Sequence, residues 1–165
     1  MILLSLDIST KSTGFAIYKD SKLVESGVCA AASTNVYHRI KKITEEVKQI
    51  VEKYKVTKVY AEEPEPAFVK NNINVYRKLT FIHGAIEMML DDYGLTMELC
   101  SSSHWRKLNG IKTGRGIKRE DVKKEDIAAA ALILGKAPLN DDEADAVLIG
   151  NAYLIEHQVN ERNWE

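Results

Sequence analysis

The strongest constraint on this chain is its opening, "ILLSLD" (Ile2 to Asp7), an almost unbroken apolar run closed by an acid. A run that is apolar at alternate positions on both sides predicts a strand buried on both faces, which asks for covering layers above and below its sheet. Asp7 is the anomaly. Carboxylates are among the side chains least often buried without a partner. Placed at a strand end and followed by "ISTKSTG", with its small hydroxyl residues and Gly14, Asp7 is positioned to receive a cation.

The rest of the chain supplies the layers. Gly14 to Tyr18 and Leu23 to Cys29 read as two further strands joined by the polar turn "KDSK". Val36, Ile40, Ile43, Val47, Ile50, Val51 and Tyr54 recur at helical spacing, with Thr34 or Asn35 available as the cap. "VTKVYAEE" (Val56 to Glu63) is a fourth strand, stopped by "PEP". A helix from Asn74 to Asp92, a strand "LTMELC" (Leu95 to Cys100), an alanine-rich helix from Arg119 to Leu134 and a last helix from about Asn140 to His157 complete the order. The helical crossover after the third strand sets strand four parallel to strand one. This is an α/β chain with a five-stranded mixed sheet flanked by helices. The order matches the ribonuclease H-like arrangement, whose first and fourth strands are neighbours.

Its 165 residues suit a single domain, residues 1–165, without internal repeat or linker. There is no run of about 18 apolar residues, so no membrane span is expected. Met1 leads almost directly into a strand, so no targeting leader is expected either. Cys29 and Cys100 lack metal-type spacing and read as buried thiols of a reducing compartment. The formal net charge of -1 means that contact with nucleic acid has to come from a local basic patch.

Two acids converge at the ends of strands one and four: Asp7, and Glu62 or Glu63. A third acidic group lies in "LNDDEADAVLIGNAY". Asn140 and Glu143 form a plausible capping box, and acids suit a helix's first turn. That explanation leaves out Asp145, which sits where the helix turns apolar and shares a face with Asp142. For Asp142 the capping and metal readings both stand. Hard oxygen ligands of this kind suit Mg²⁺ or Mn²⁺ held between carboxylates and a substrate phosphate. Two such ions can activate water and stabilise the leaving oxygen of a phosphodiester. His38, His83, His104 and His157 are scattered and read as surface or packing residues. Lys112, Arg115, Lys118 and Arg119 fall in the glycine-bearing segment "KLNGIKTGRGIKRE", which suits contact with phosphates but not with base edges. In the second helix, Leu79, Ile82, Ile86 and Met89 form a core stripe, and Tyr76, Phe81 and Met88 widen the apolar arc toward a two-fold interface.

The segments "LSLDISTKSTGFAI", "VYAEEP" and "DDEADAVLIG" resemble the three motifs of RuvC-type Holliday junction resolvases, especially the phage-encoded branch. "WRKLNGIKTG" followed by "REDVKKEDI" resembles that branch as well, so the likeness spans nearly the whole chain in order. It implies a homodimeric, Mg²⁺-dependent endonuclease of a bacterial or phage-infected cytoplasm that nicks four-way and other branched DNA for recombination and repair, with no nucleotide cofactor. Carried over by position, the acids are Asp7, Glu62, Asp142 and Asp145, holding two ions, with Lys107 and Lys124 near the scissile phosphate. Glu62 is preferred to Glu63 because it follows the family's hydrophobic approach through Val59, Tyr60 and Ala61. The family's aromatic wedge is matched by Phe68, displaced by "EPEP". Two rivals remain. The first motif also resembles the phosphate loop of sugar kinases, actin and Hsp70-type ATPases, which require a second lobe. The other rival is a catalytically silent ribonuclease H-like protein that only binds branched nucleic acid.

Overall fold

A computed structural model of the chain describes residues 1–65 and 73–162. Five strands form one mixed sheet: β1 (Ile2–Asp7), β2 (Ser12–Lys19), β3 (Lys22–Ala30), β4 (Lys58–Glu62) and β5 (Met97–Cys100), in the spatial order β3-β2-β1-β4-β5. β1 pairs antiparallel with β2 and parallel with β4, and β4 pairs parallel with β5. The helices are α1 (Val36–Tyr54), α2 (Ile73–Asp91), α3 (Ser102–Leu108), α4 (Arg119–Leu134) and α5 (Asp141–Arg162). None of the described helices is long and apolar enough to cross a membrane.

The two-sided burial of β1 follows from its sequence. Leu4 and Leu6 face a core shared with Ile40, Ile43, Val47 and Val51 of α1 and with Ile82, Ile86 and Leu90 of α2. Leu3 faces the opposite core, built with Trp105 of α3, Ala130 of α4, and Val147, Leu148 and Ile149 of α5. Ser5, the one polar residue inside the strand, is fully buried, and its Oγ donates to the Ala146 carbonyl of α5 at 2.7 Å. Tyr18 of β2 does the same to the Val147 carbonyl at 2.6 Å. Two hydroxyls thus pin α5 across the sheet, satisfying groups that would be costly to bury unpaired.

The glycine of "STG" has a spatial reason. A Cβ on Gly14 would lie 1.8 Å from the Asp142 carbonyl oxygen, so only glycine lets the first turn of α5 approach β2 this closely. Because Gly14 is the register partner of Asp7, the same contact brings the start of α5 to the end of β1. Asn35 is the α1 cap, its Oδ1 accepting from the Tyr37 and His38 amides. The short helix α3, with Ser101 as its cap, carries too few turns to show a periodicity and was not apparent in the sequence. Both cysteines are free and buried.

Candidate active site

β1 and β4 run parallel, so Asp7 and Glu62 emerge at the same end of the sheet. Asp142 and Asp145 reach that end from the first turns of α5. All four line one cleft of about 660 Å³, with Glu65, Arg106, Thr113, Ile117, Lys123 and Asp141 among the remaining wall residues. Glu143 points away: it is 1% exposed, its carboxylate accepts from Ser26 Oγ at 2.6 Å and from the Leu139 amide at 2.5 Å, and its own amide donates to Asn140 Oδ1. Capping therefore occupies Glu143 and leaves Asp142 and Asp145 facing the cleft.

The neighbours Glu62 and Glu63 part company where β4 ends. Glu62 lies in the acidic cleft, where Trp105 Nε1 donates to its Oε2 at 2.6 Å. Glu63 lines a separate cavity with Tyr60, Glu98, His104 and Glu156, and its backbone amide extends the pairing to the Cys100 carbonyl.

The cleft holds more acids than cations. Burial raises the Asp7 pKa well above the ordinary carboxylate range, and the facing Asp145, Glu62 and Asp142 raise it further, against the pull of Arg106. Burial pushes Asp145 up to about 8, with Asp126 the next contributor and Arg106 opposing. Glu62 is raised by burial, although its bond from Trp105 and the nearby Arg106 counter this. Such carboxylates hold protons or bind a cation. The donor set is hard oxygen throughout, which fits Mg²⁺ or Mn²⁺. Among the described residues no group of three or more His, Cys, Asp or Glu side chains is spaced to cage a metal by itself. Mg²⁺ sites commonly take only one or two carboxylates, the remaining positions going to water and substrate phosphate.

The basic residues fall differently from the sequence expectation. Lys107 is exposed and does not line the cleft, and it is Arg106 that lines the wall. Likewise Lys124 is exposed beside Asp121, while Lys123, paired with Asp141, lines the wall. The reason is helical phase. On α4, Arg119, Val122, Lys123 and Asp126 share a face, a spacing already legible in the sequence. On α3 the phase could be set only once the helix itself was known. Of the loop between α3 and α4, Thr113, Gly114 and Ile117 line the cleft together with Arg119, and Lys112, Arg115 and Lys118 are exposed beside it. Gly114 and Gly116 take φ of 137° and 90°, backbone that side-chain-bearing residues rarely adopt. Phe68 lies outside the described residues. Trp105 and Asp126 also belong to the site's surroundings; both lie in the segments "WRKLNGIKTG" and "REDVKKEDI", which single out neither as a site residue.

The family model described as Lactococcus phage M3 protein matches residues 1–156. The chain belongs to that family. A search of curated protein sequences found no match. Among solved structures, RuvC of Thermus thermophilus in complex with a Holliday junction substrate superposes with a TM-score of 0.78 at 17% identity, covering 96% of each chain. A second structure of Thermus thermophilus RuvC gives 0.75 at 18% identity over 97% of each chain. The yeast mitochondrial Holliday junction resolvase Ydc2 gives 0.56 at 14% identity, covering 96% of this chain and 81% of that one. This member of the phage M3 protein family therefore has the ribonuclease H-like fold of the RuvC resolvases.

Proposed function

We propose that the chain is a metal-dependent endonuclease that resolves four-way DNA junctions, acting as a single nuclease domain over residues 1–165. The observation that carries this reading is the convergence of Asp7, Glu62, Asp142 and Asp145, from two strand ends and one helix, in a single cleft flanked by a basic loop. The likeness in fold to a RuvC in complex with a Holliday junction substrate supports it. The residues that would hold two Mg²⁺ or Mn²⁺ ions are those four acids. When bound, such ions lower the pKa of an attacking water and offset charge on the leaving oxygen of the phosphodiester.

The chain's own contribution is placement. Trp105 fixes the Glu62 carboxylate by its indole N–H, so one ligand is oriented before substrate arrives. Arg106, Lys123 and Arg119 set positive charge in the wall of a cleft otherwise rich in acids, where a phosphate would lie. Lys112, Arg115, Lys118 and Arg119 extend that charge along the loop, where the DNA backbone would lie. Lys107 and Lys124, exposed on the outer sides of α3 and α4, are left to contacts with DNA arms. Two active sites are needed to nick symmetric strands, which a homodimer supplies. Its two-fold contact is assigned to the outer face of α2, where Phe81 is 43% and Met88 76% exposed and Tyr37 of α1 stacks on Phe81 at 6.2 Å.

The deciding experiment is incubation of labelled four-way DNA with the protein and Mg²⁺ or Mn²⁺, beside linear duplex. Paired symmetric nicks in the junction are expected. Asp7→Asn and Asp145→Asn should each abolish them while junction binding persists. Tight binding without cleavage in either metal would identify a silent junction-binding protein instead.

A further inference from the structure

Asp126 belongs to none of the acidic segments that mark the cleft, yet it is 2% exposed. It sits in "KKEDIAAAA" on the buried side of α4, where packing alone gives no reason for a carboxylate. Its partner is Arg106, whose Nε donates to Asp126 Oδ2 at 3.0 Å and Oδ1 at 3.3 Å. The guanidinium also lies over the Trp105 ring, 4.2 Å from its centroid. At its other end Nη2 faces Asp145 Oδ2 but stops at 3.7 Å, an ion pair beyond hydrogen-bond distance. Arg106 therefore stands between two carboxylates and hydrogen-bonds only the one at its back.

We propose that Asp126 is a positioning residue that restrains Arg106, so that Asp145 stays available to a divalent cation. The inference rests on reading the cleft as a metal centre. A guanidinium frequently closes on a neighbouring carboxylate in a charge-assisted, often two-bonded contact. Without the charge of Asp126, the carboxylate left within ion-pair distance of Arg106 is Asp145, with Glu62 and Asp7 also in the field of the guanidinium. The fork would then close on Asp145 and compete with the ion for its oxygens. The dipeptide Trp105-Arg106 thereby governs both sides of the site. Trp105 orients Glu62, and Arg106, anchored from behind, sets the charge next to Asp145.

The test is Mn²⁺ binding to the full chain without DNA, followed by electron paramagnetic resonance, so that the readout is independent of cleavage. Asp126→Asn keeps the size of the side chain and removes its charge. It should weaken Mn²⁺ binding by roughly ten- to a hundred-fold, the range typical when partners of metal ligands are removed. Adding Arg106→Gln to that variant should restore binding toward the wild-type value, because the competitor is gone. A double variant that binds no better than Asp126→Asn alone would make Asp126 a purely structural residue and overturn the proposal. So would wild-type affinity in Asp126→Asn. Should Asp126→Asn fail to fold by circular dichroism, Arg106→Gln alone decides: binding at least as tight as wild type supports the restraint, and weaker binding overturns it. Wild-type protein that binds no Mn²⁺ at all would overturn the metal reading itself, and this inference with it.

Discussion

Asp7 and Glu62 are held in different ways. Asp7 is surrounded by other acids and raised by burial first and by them second, with Arg106 the opposing charge. Glu62 is oriented by a short bond from Trp105. The difference between Glu62 and Glu63 is purely one of direction, since both carry the same side chain on the same short segment. Glu62→Gln should reduce junction cleavage by at least about a hundred-fold, the scale of losing one well-placed electrostatic group. Glu63→Gln, which faces the other cavity, should stay within a few-fold of wild type. Cleavage rates under single-turnover conditions check this, and the reverse order would place the ligand at Glu63.

At the scale of elements, the site depends on how closely α5 approaches the sheet. Gly14→Ala would drive a methyl group into the Asp142 carbonyl. Overpacking of this kind typically costs about 1–3 kcal/mol, and here the strained contact is backbone, which has little room to yield. The variant should lose that much stability in urea denaturation and should also lose cleavage, because relief comes only by shifting the α5 turn that carries Asp142 and Asp145. Full cleavage in a destabilised Gly14→Ala would separate the close approach from the chemistry. The loop between α3 and α4 is the other element with a distinct role. Arg115 and Lys118 are exposed, and Lys118 stands at the α4 N-cap without a side-chain capping bond. If both contact phosphates, replacing them together by alanine should flatten the log–log salt dependence of junction binding by up to about two units. Affinity should fall similarly for junctions of different sequence. Metal binding without DNA should not change. An unchanged salt slope would leave the loop as solvated surface.

For the whole molecule, the net charge of -1 conceals a strong local imbalance. In the metal-free protein the folded-state pKa of Asp145 is about 8, and that of Asp7 is raised too, against about 3.9 for an unfolded aspartate. Between those values the folded state binds more protons than the unfolded one, so stability falls as pH rises from about 4 through about 8. Asp145→Asn removes one of these groups. Its Tm should exceed that of wild type at pH 8.5 and converge on it near pH 4, when both are measured without metal by differential scanning calorimetry. Mg²⁺ should raise the wild-type Tm mainly at the alkaline end. A Tm difference that does not vary with pH would show that Asp145 is not held as a strained carboxyl.

The fold was legible in the sequence because its signals are local and repeated. An apolar run at Ile2–Leu6 and helical spacing from Val36 to Tyr54 each reflect a burial pattern that one element must satisfy by itself, and Pro64 stops the fourth strand because it cannot extend the ladder. The acids were legible for a related reason: a carboxylate at the end of a buried strand, or within an apolar stretch of helix, conflicts with its surroundings. What tertiary structure alone decided is the identity of the groups around them. Helix α3 is too short to carry a periodic signature, so nothing in "HWRKL" distinguishes Arg106 from Lys107. Asp126 reads in one dimension as one more charge in a charged helix, and its meaning comes from an arginine twenty residues away in sequence and 3.0 Å away in space. The direction of each burial is written locally, but the partner that neutralises a buried charge is chosen by packing. That choice exists only once α3, α4 and α5 have closed over the sheet.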